Sequence, residues 1–221
     1  MRRPARLLPG GEGDGEVSAR LVATVAGTPI GVDEVDAREA RLRSGPRAAA
    51  LPAGGTSEGR QLRRWLTQLI VTERVVAVEV AARGLTAGDA PAETELLPDD
   101  TARLEIGSVA AAALADPAAR ALFADVTAAV RVSDQDVADY HARNPLRFAA
   151  PRPGRHGWRA PSRVGPPLGQ VRSAIAEHLR GAARRRAFRV WLDARTAELV
   201  RLAPGYEHPG DPHQPDNTHR H

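Results

Sequence analysis

Residues 61–83 read QLRRWLTQLIVTERVVAVEVAAR and run directly into Gly84. Leu62, Trp65, Leu66, Leu69, Ile70, Val76, Ala77 and Val80 recur at spacings of three and four, the period of one helix face. The pattern predicts an amphipathic helix of about six turns. Gly84 suits its left-handed cap, because a residue without a Cβ takes that conformation without strain. A helix of this length makes the chain mainly α, and the flanking segments agree.

Upstream, Leu21–Val25 alternates weakly and predicts a short strand. Ala26-Gly27-Thr28 reads as a turn and Pro29-Ile30 as a proline-led approach to a helix. That helix begins within Gly31-Val32-Asp33-Glu34, with Asp33 as its expected cap. It reaches about Arg43 and stops at Ser44-Gly45-Pro46. Downstream, 86–99 is rich in turn residues and 100–114 reads as one helix. Asp116-Pro117 combines a capping side chain with proline at the first helical position. Ser133 with Asp136 is an acidic variant of the capping box. The helix it opens, 134–143, must stop at Asn144 because Pro145 disfavours a helical residue before it. Leu168–Leu202 reads as one long helix, with Val171, Ile175, Leu179 and Ala182 on one face. Phe188, Trp191, Leu192 and Leu199 lie on a rotated face.

Composition narrows the chemistry. All of the 31 cations counted as Lys+Arg are arginine. That usage fits a GC-rich, actinomycete-type genome and excludes a lysine Schiff base or a phosphate-loop lysine. With Cys 0, disulfides, thiol catalysis and thiolate metal sites are excluded. Aromatics are only 4%, so the core must come from Leu, Val, Ile and Ala. The formal charge is +4, and the one dense basic run, Arg184-Arg185-Arg186, reads as a solvated helix face rather than a nucleic-acid site. The arginines near Met1 are followed by no apolar run of signal-peptide length, and nothing approaches a membrane span. The expectation is a cytoplasmic protein without membrane or nucleic-acid partners.

The C-terminal tail is the one concentration of metal-ligating side chains. His208, Asp211, His213, Asp216, His219 and His221 supply the imidazoles and carboxylates that hold zinc, iron or copper where thiolates are absent. The alternatives are a solvated polar tail or one docked on the protein. His141, beside Tyr140, reads as a packing or surface residue, and His178 as exposed or paired. The sequence carries no nucleophile elbow, phosphate-binding loop, zinc-protease motif or dinucleotide fingerprint.

Four segments together resemble a known family: 22–30, 66–85, 132–148 with its Asn144-Pro145 stop, and 168–202. They are similar to the chaperone part of SurA-like, parvulin-type peptidyl-prolyl isomerases. The resemblance implies a helical domain over 19–148, completed by a returning C-terminal helix over 168–203. Residues 1–18 would be a disordered tail and 204–221 a His/Pro/Asp-rich one. In the family the catalytic domain follows the Asn-Pro-x-x-Phe segment. Here 149–167 is a Pro/Gly/Arg-rich loop with Pro151, Pro153, Pro161, Pro166 and Pro167, too short for that domain. The implied function is peptide or protein binding without isomerase activity, with Trp65, Leu69 and Trp191 at an apolar cleft. The family usually acts outside the cytoplasm, and this chain departs from it there. The resemblance also points to secondary-metabolite gene clusters. The second function it leaves open is a metal-dependent enzyme or accessory factor in polyketide-type biosynthesis, acting on a small organic substrate. The serine motif of malonyltransferases is missing.

Overall fold

The computed structural model describes residues 21–149, 152–153, 159–160 and 165–206. The fold is mainly helical, with a three-stranded sheet near the N-terminus and a long C-terminal helix. The described chain divides into two compact units. One comprises residues 21–84 with 194–206, the other residues within 85–193.

The first unit is built on strand β1 (Leu21–Val25). It pairs with β2 (Thr28–Gly31) through a loop in which Ala26 (φ 47) and Gly27 (φ 81) both take positive φ. That is the pattern of the turn whose twist matches a hairpin. A bulge between Leu21 and Ala23 turns both Val22 and Ala23 inward, each fully buried, which explains the weak alternation of the sequence. Pro29 is therefore a strand residue and not a helix lead-in. It is tolerated because β2 lies at an edge of the sheet order β2-β1-β5.

Helix α1 (Val32–Arg43) is capped by Gly31, with no side-chain cap bond. Asp33 is thus not the cap. It sits with Glu34 in the first turn, where an acidic side chain favours the helix dipole. Helix α2 (Ser57–Arg83) starts one turn before the periodic stretch, at Thr56, whose hydroxyl accepts from the Gly59 N–H at 3.0 Å. Gly84 closes it at φ 62, ψ 30, as the sequence indicated. The middle of α2 is not amphipathic: every residue from Leu66 to Thr72 is buried. Polar members of that run bond locally or along the unit. Thr67 donates to the Arg63 carbonyl at 3.0 Å and the Gln68 amide to the Tyr206 carbonyl at 3.1 Å.

The face of α2 toward α1 is ionic. Arg63 reaches Asp36 at 2.6 Å and Glu39 at 2.7 Å, Arg74 reaches Glu34 at 3.0 Å, and Arg38 pairs with Glu73. Burial pushes the Glu39 carboxyl up. The hydrogen bonds and charges of Arg43 and Arg63 outweigh it and hold Glu39 below the usual carboxylate range.

The second unit contains five short helices and most of a long one. They are α3 (Glu93–Leu96), α4 (Asp100–Ile106), α5 (Ser108–Ala113), α6 (Pro117–Val126) and α7 (Asp134–Arg143). The single helix expected over 100–114 is two, because Gly107 at φ 91 breaks it. The remaining caps follow the sequence. Asp116 accepts from Ala118 N at 2.9 Å, and Ser133 and Asp136 form the reciprocal box. Arg120 donates to the carbonyls of Leu114 and Ala115 at 3.0 and 2.8 Å, satisfying acceptors left open where α5 ends. Phe123 and Phe188 meet at 5.0 Å, and both, like Leu114, Leu122, Ile106 and Ile175 of this unit, are nearly inaccessible. Burying each such ring contributes about 2–3 kcal/mol.

Between Phe148 and Leu168 the only described pairing is a two-residue ladder, Arg152–Pro153 against Arg159–Ala160. The long helix α8 (Leu168–Leu199) ends three residues earlier than the sequence suggested. Val200–Leu202 forms strand β5, which pairs antiparallel with β1. Ala26 N donates to Leu199 O at 2.8 Å, and Ala203 N to Val22 O at 2.9 Å. Tertiary pairing therefore overrides helical propensity at the end of α8. Within the first unit Arg195 also reaches the buried Glu79, at 2.8 Å from its Nε.

Candidate functional site

The residues the sequence singled out fall in different parts of the chain. Trp65 and Leu69 lie on α2 in the first unit, and Leu69 is core at 6% exposure. Trp191 belongs to the second unit, where its indole stacks on Phe188 at 5.6 Å. His208, Asp211, His213, Asp216, His219 and His221 lie outside the described residues, as do 1–18. Among the described residues no three His, Asp or Glu side chains gather as a metal site would need.

Within the second unit, α7 and α8 instead form a groove of about 320 Å³. Its half-buried lining residues are Val132, Tyr140, Leu179, Ala182 and Ala183, and most of its open surface is polar. Its exposed rim carries Arg131, Arg143 and Arg186 against one carboxylate, Asp136. Asp136 is committed to the α7 cap. Its carboxylate accepts from the Ser133 hydroxyl at 2.6 Å and the Ser133 N–H at 3.0 Å, which keeps it below the usual carboxylate range. A second hollow of about 250 Å³, lined by Glu105, Ala182, Arg186 and Arg189, shares Ala182 and Arg186 with the first. Arg186 thus stands between the two.

Each of the two helices carries one histidine engaged beside the groove. The Tyr140 hydroxyl and His178 Nε2 share a hydrogen bond at 3.1 Å, and both rings pack on Phe148, at 6.4 and 6.0 Å. His178 is the paired residue the sequence allowed. His141 Nε2 bonds to the Pro166 carbonyl at 2.9 Å, tying the end of the proline-rich segment to α7.

The run Arg184-Arg185-Arg186 is not the uniform solvated face the sequence suggested. Arg184 lies over the Phe123 ring, 5.1 Å from its centroid, and donates to Thr127 Oγ1 at 2.8 Å. Burial, reinforced by the charge of Arg180, lowers its pKa. Arg185 is buried at 6% exposure and donates to Glu105 at 2.8 Å and to the Leu96 carbonyl at 3.2 Å. Arg186 alone points into open groove. Consecutive helix positions are about 100° apart, so one run divides among three environments. The sequence signal that could have exposed this is the i, i+3, i+7 spacing of Arg185, Phe188 and Leu192, which puts Arg185 on the apolar face of that helix.

A family of unknown function, DUF7158, matches residues 21–58, the stretch from β1 through α1 to the start of α2. No curated protein and no solved structure matches the chain. None of the described helices is long and apolar enough to cross a membrane.

Proposed function

We propose that this protein is a SurA-like peptide- or protein-binding module, of chaperone type, that lacks prolyl isomerase activity and acts in the cytoplasm. The observation that carries the reading is the α7–α8 groove. A solvent-open groove that sets Val132 and Leu179 among charged side chains suits holding an extended chain by side-chain burial and hydrogen bonding. Tyr140 on its lining is engaged with His178, and the neighbouring His141 with a backbone carbonyl, a disposition that favours scaffolding over proton transfer. The 149–167 segment is too short to hold a further catalytic domain, which favours binding over isomerisation.

Two assays on the full chain test it. Light scattering follows a thermally unfolding client protein, and a protease-coupled assay follows proline isomerisation in a short peptide. The expected result is slowed client aggregation at stoichiometric protein, with isomerisation at its uncatalysed rate. Unchanged aggregation, or isomerisation above background, would refute the reading. Stoichiometric metal that disappears on removal of residues 207–221 and supports turnover would replace it with the metal-dependent alternative.

A further inference from the structure

The proposal above leaves open what kind of segment is bound, and the charge of the groove addresses that. We propose that the paired hollows along α8 take an extended acidic peptide, carboxylates on Arg131, Arg143, Arg186 and Arg189, with an apolar side chain on Val132 and Leu179. This rests on the binding-module reading and specifies its ligand.

Charge complementarity carries the argument. Four arginines line the two hollows against two carboxylates, and both carboxylates are already engaged. Asp136 serves Ser133, and Glu105 is paired with the buried Arg185 at 2.8 Å. The arginines are differently disposed. Arg186 has no ion pair or hydrogen bond among the described residues. Arg131, Arg143 and Arg189 bond only to carbonyls, those of Ala128, Asp139 and Glu105 among them. Carbonyl bonds leave a guanidinium with full charge and further N–H groups for a carboxylate, which it binds best in a bidentate fork.

The dimensions agree. Leu179 to Arg189 covers roughly 15 Å of helix axis at 1.5 Å per residue, the span of about four to five extended residues. Val132 and Leu179 lie beside the arginines and offer contacts to an apolar side chain, whereas a nucleic-acid backbone would want phosphate contacts along the whole length. The one aromatic there, Tyr140, is packed on Phe148 and His178 rather than presented for base stacking.

The test is fluorescence anisotropy with the full-length protein and three labelled heptapeptides. One alternates aspartate or glutamate with leucine, the second replaces the acids by their amides, and the third replaces them by lysine. The acidic peptide should bind at least about tenfold tighter than the amide form, and the lysine form should not bind. Its affinity should fall with added salt. Arg186→Glu should weaken it by about tenfold or more, and Arg186→Gln by less. Arg103→Gln, on the exposed face of α4, should leave it unchanged. Melting curves of each variant confirm that it folds. Equal binding of acidic and amide peptides, or full affinity in Arg186→Glu, would overturn the proposal. So would tighter binding of a single-stranded oligonucleotide of equal charge. Aggregation suppression that survives Arg186→Glu while acidic peptide fails to bind removes this ligand and leaves the general reading. Peptide binding without aggregation suppression does the reverse.

Discussion

Gly181 and Arg185 make the sharpest quantitative test of the second unit. They stand one turn apart on α8. A Cβ built at Gly181 would lie 3.1 Å from one terminal nitrogen of Arg185, closer than ordinary van der Waals contact. Glycine to alanine inside a helix normally stabilises by about 1 kcal/mol. Here the guanidinium would have to retreat, and its bonds to Glu105 and to the Leu96 carbonyl fix it. Stretching or losing one charged hydrogen bond costs about 1.5–3 kcal/mol. Gly181→Ala should therefore destabilise the protein by about 0.5–2 kcal/mol. Arg185→Met alone should cost about 2–3 kcal/mol, because the Leu96 carbonyl loses its partner while the half-exposed Glu105 rehydrates. In the Arg185→Met background, Gly181→Ala should recover its ordinary gain of about 1 kcal/mol. The double-mutant cycle then gives a coupling of about 1.5–3 kcal/mol, read from urea denaturation followed by far-UV circular dichroism. If Gly181→Ala stabilises both backgrounds equally, Arg185 does not occupy the space beside it and the reasoning fails.

Three further outcomes are expected. Arg201→Pro should destabilise the sheet far more than Leu202→Pro. Opposite Thr24, residue 201 lies between the bonded pairs 26–199 and 22–203, whereas the N–H of 202 faces the free edge; thermal melts of the two variants compare them directly. Glu39 has a folded pKa below its unfolded one, so its stabilisation is complete above about pH 4.3 and is lost as the pH falls through the lower folded value. Glu39→Gln should accordingly flatten the acid limb of a Tm-against-pH profile and lower Tm near neutrality. Glu79→Gln should lower Tm more than Glu198→Gln, since buried Glu79 takes hydrogen bonds from both Arg195 and Arg83 while Glu198 is exposed; differential scanning fluorimetry suffices to rank them.

What the sequence reveals here is local. Gly84, the Asp116-Pro117 start, the Ser133–Asp136 box and the Asn144 stop are each decided by atoms within four residues, and each stands where its side chains require. What it hides depends on distant partners. Val200–Leu202 continues the helical pattern of α8 and becomes strand only because β1 lies beside it. Gly107 looks like an ordinary small residue in an alanine-rich helix until its φ of 91 is known. The groove was illegible for the same reason. Its floor comes from the loop before α7, from α7 and from α8, none of which carries a motif, and its rim draws on an arginine run whose three members face different ways. The expectation of Trp65, Leu69 and Trp191 at a cleft drew on apolar character alone, and that pattern does not say which apolar residues, such as the buried Leu69, are core.

Strand β1 is made early and needs a neighbour made almost last. Val25 waits for Val200, so at synthesis rates of roughly 5–20 residues per second the N-terminal sheet stays open on one side for about 10–35 s. A nascent or prematurely terminated chain would expose that edge to other strands. The second unit has no such dependence on β5, so ribosome-stalled chains should acquire protease resistance there first and at the N-terminus only when residue 202 has emerged.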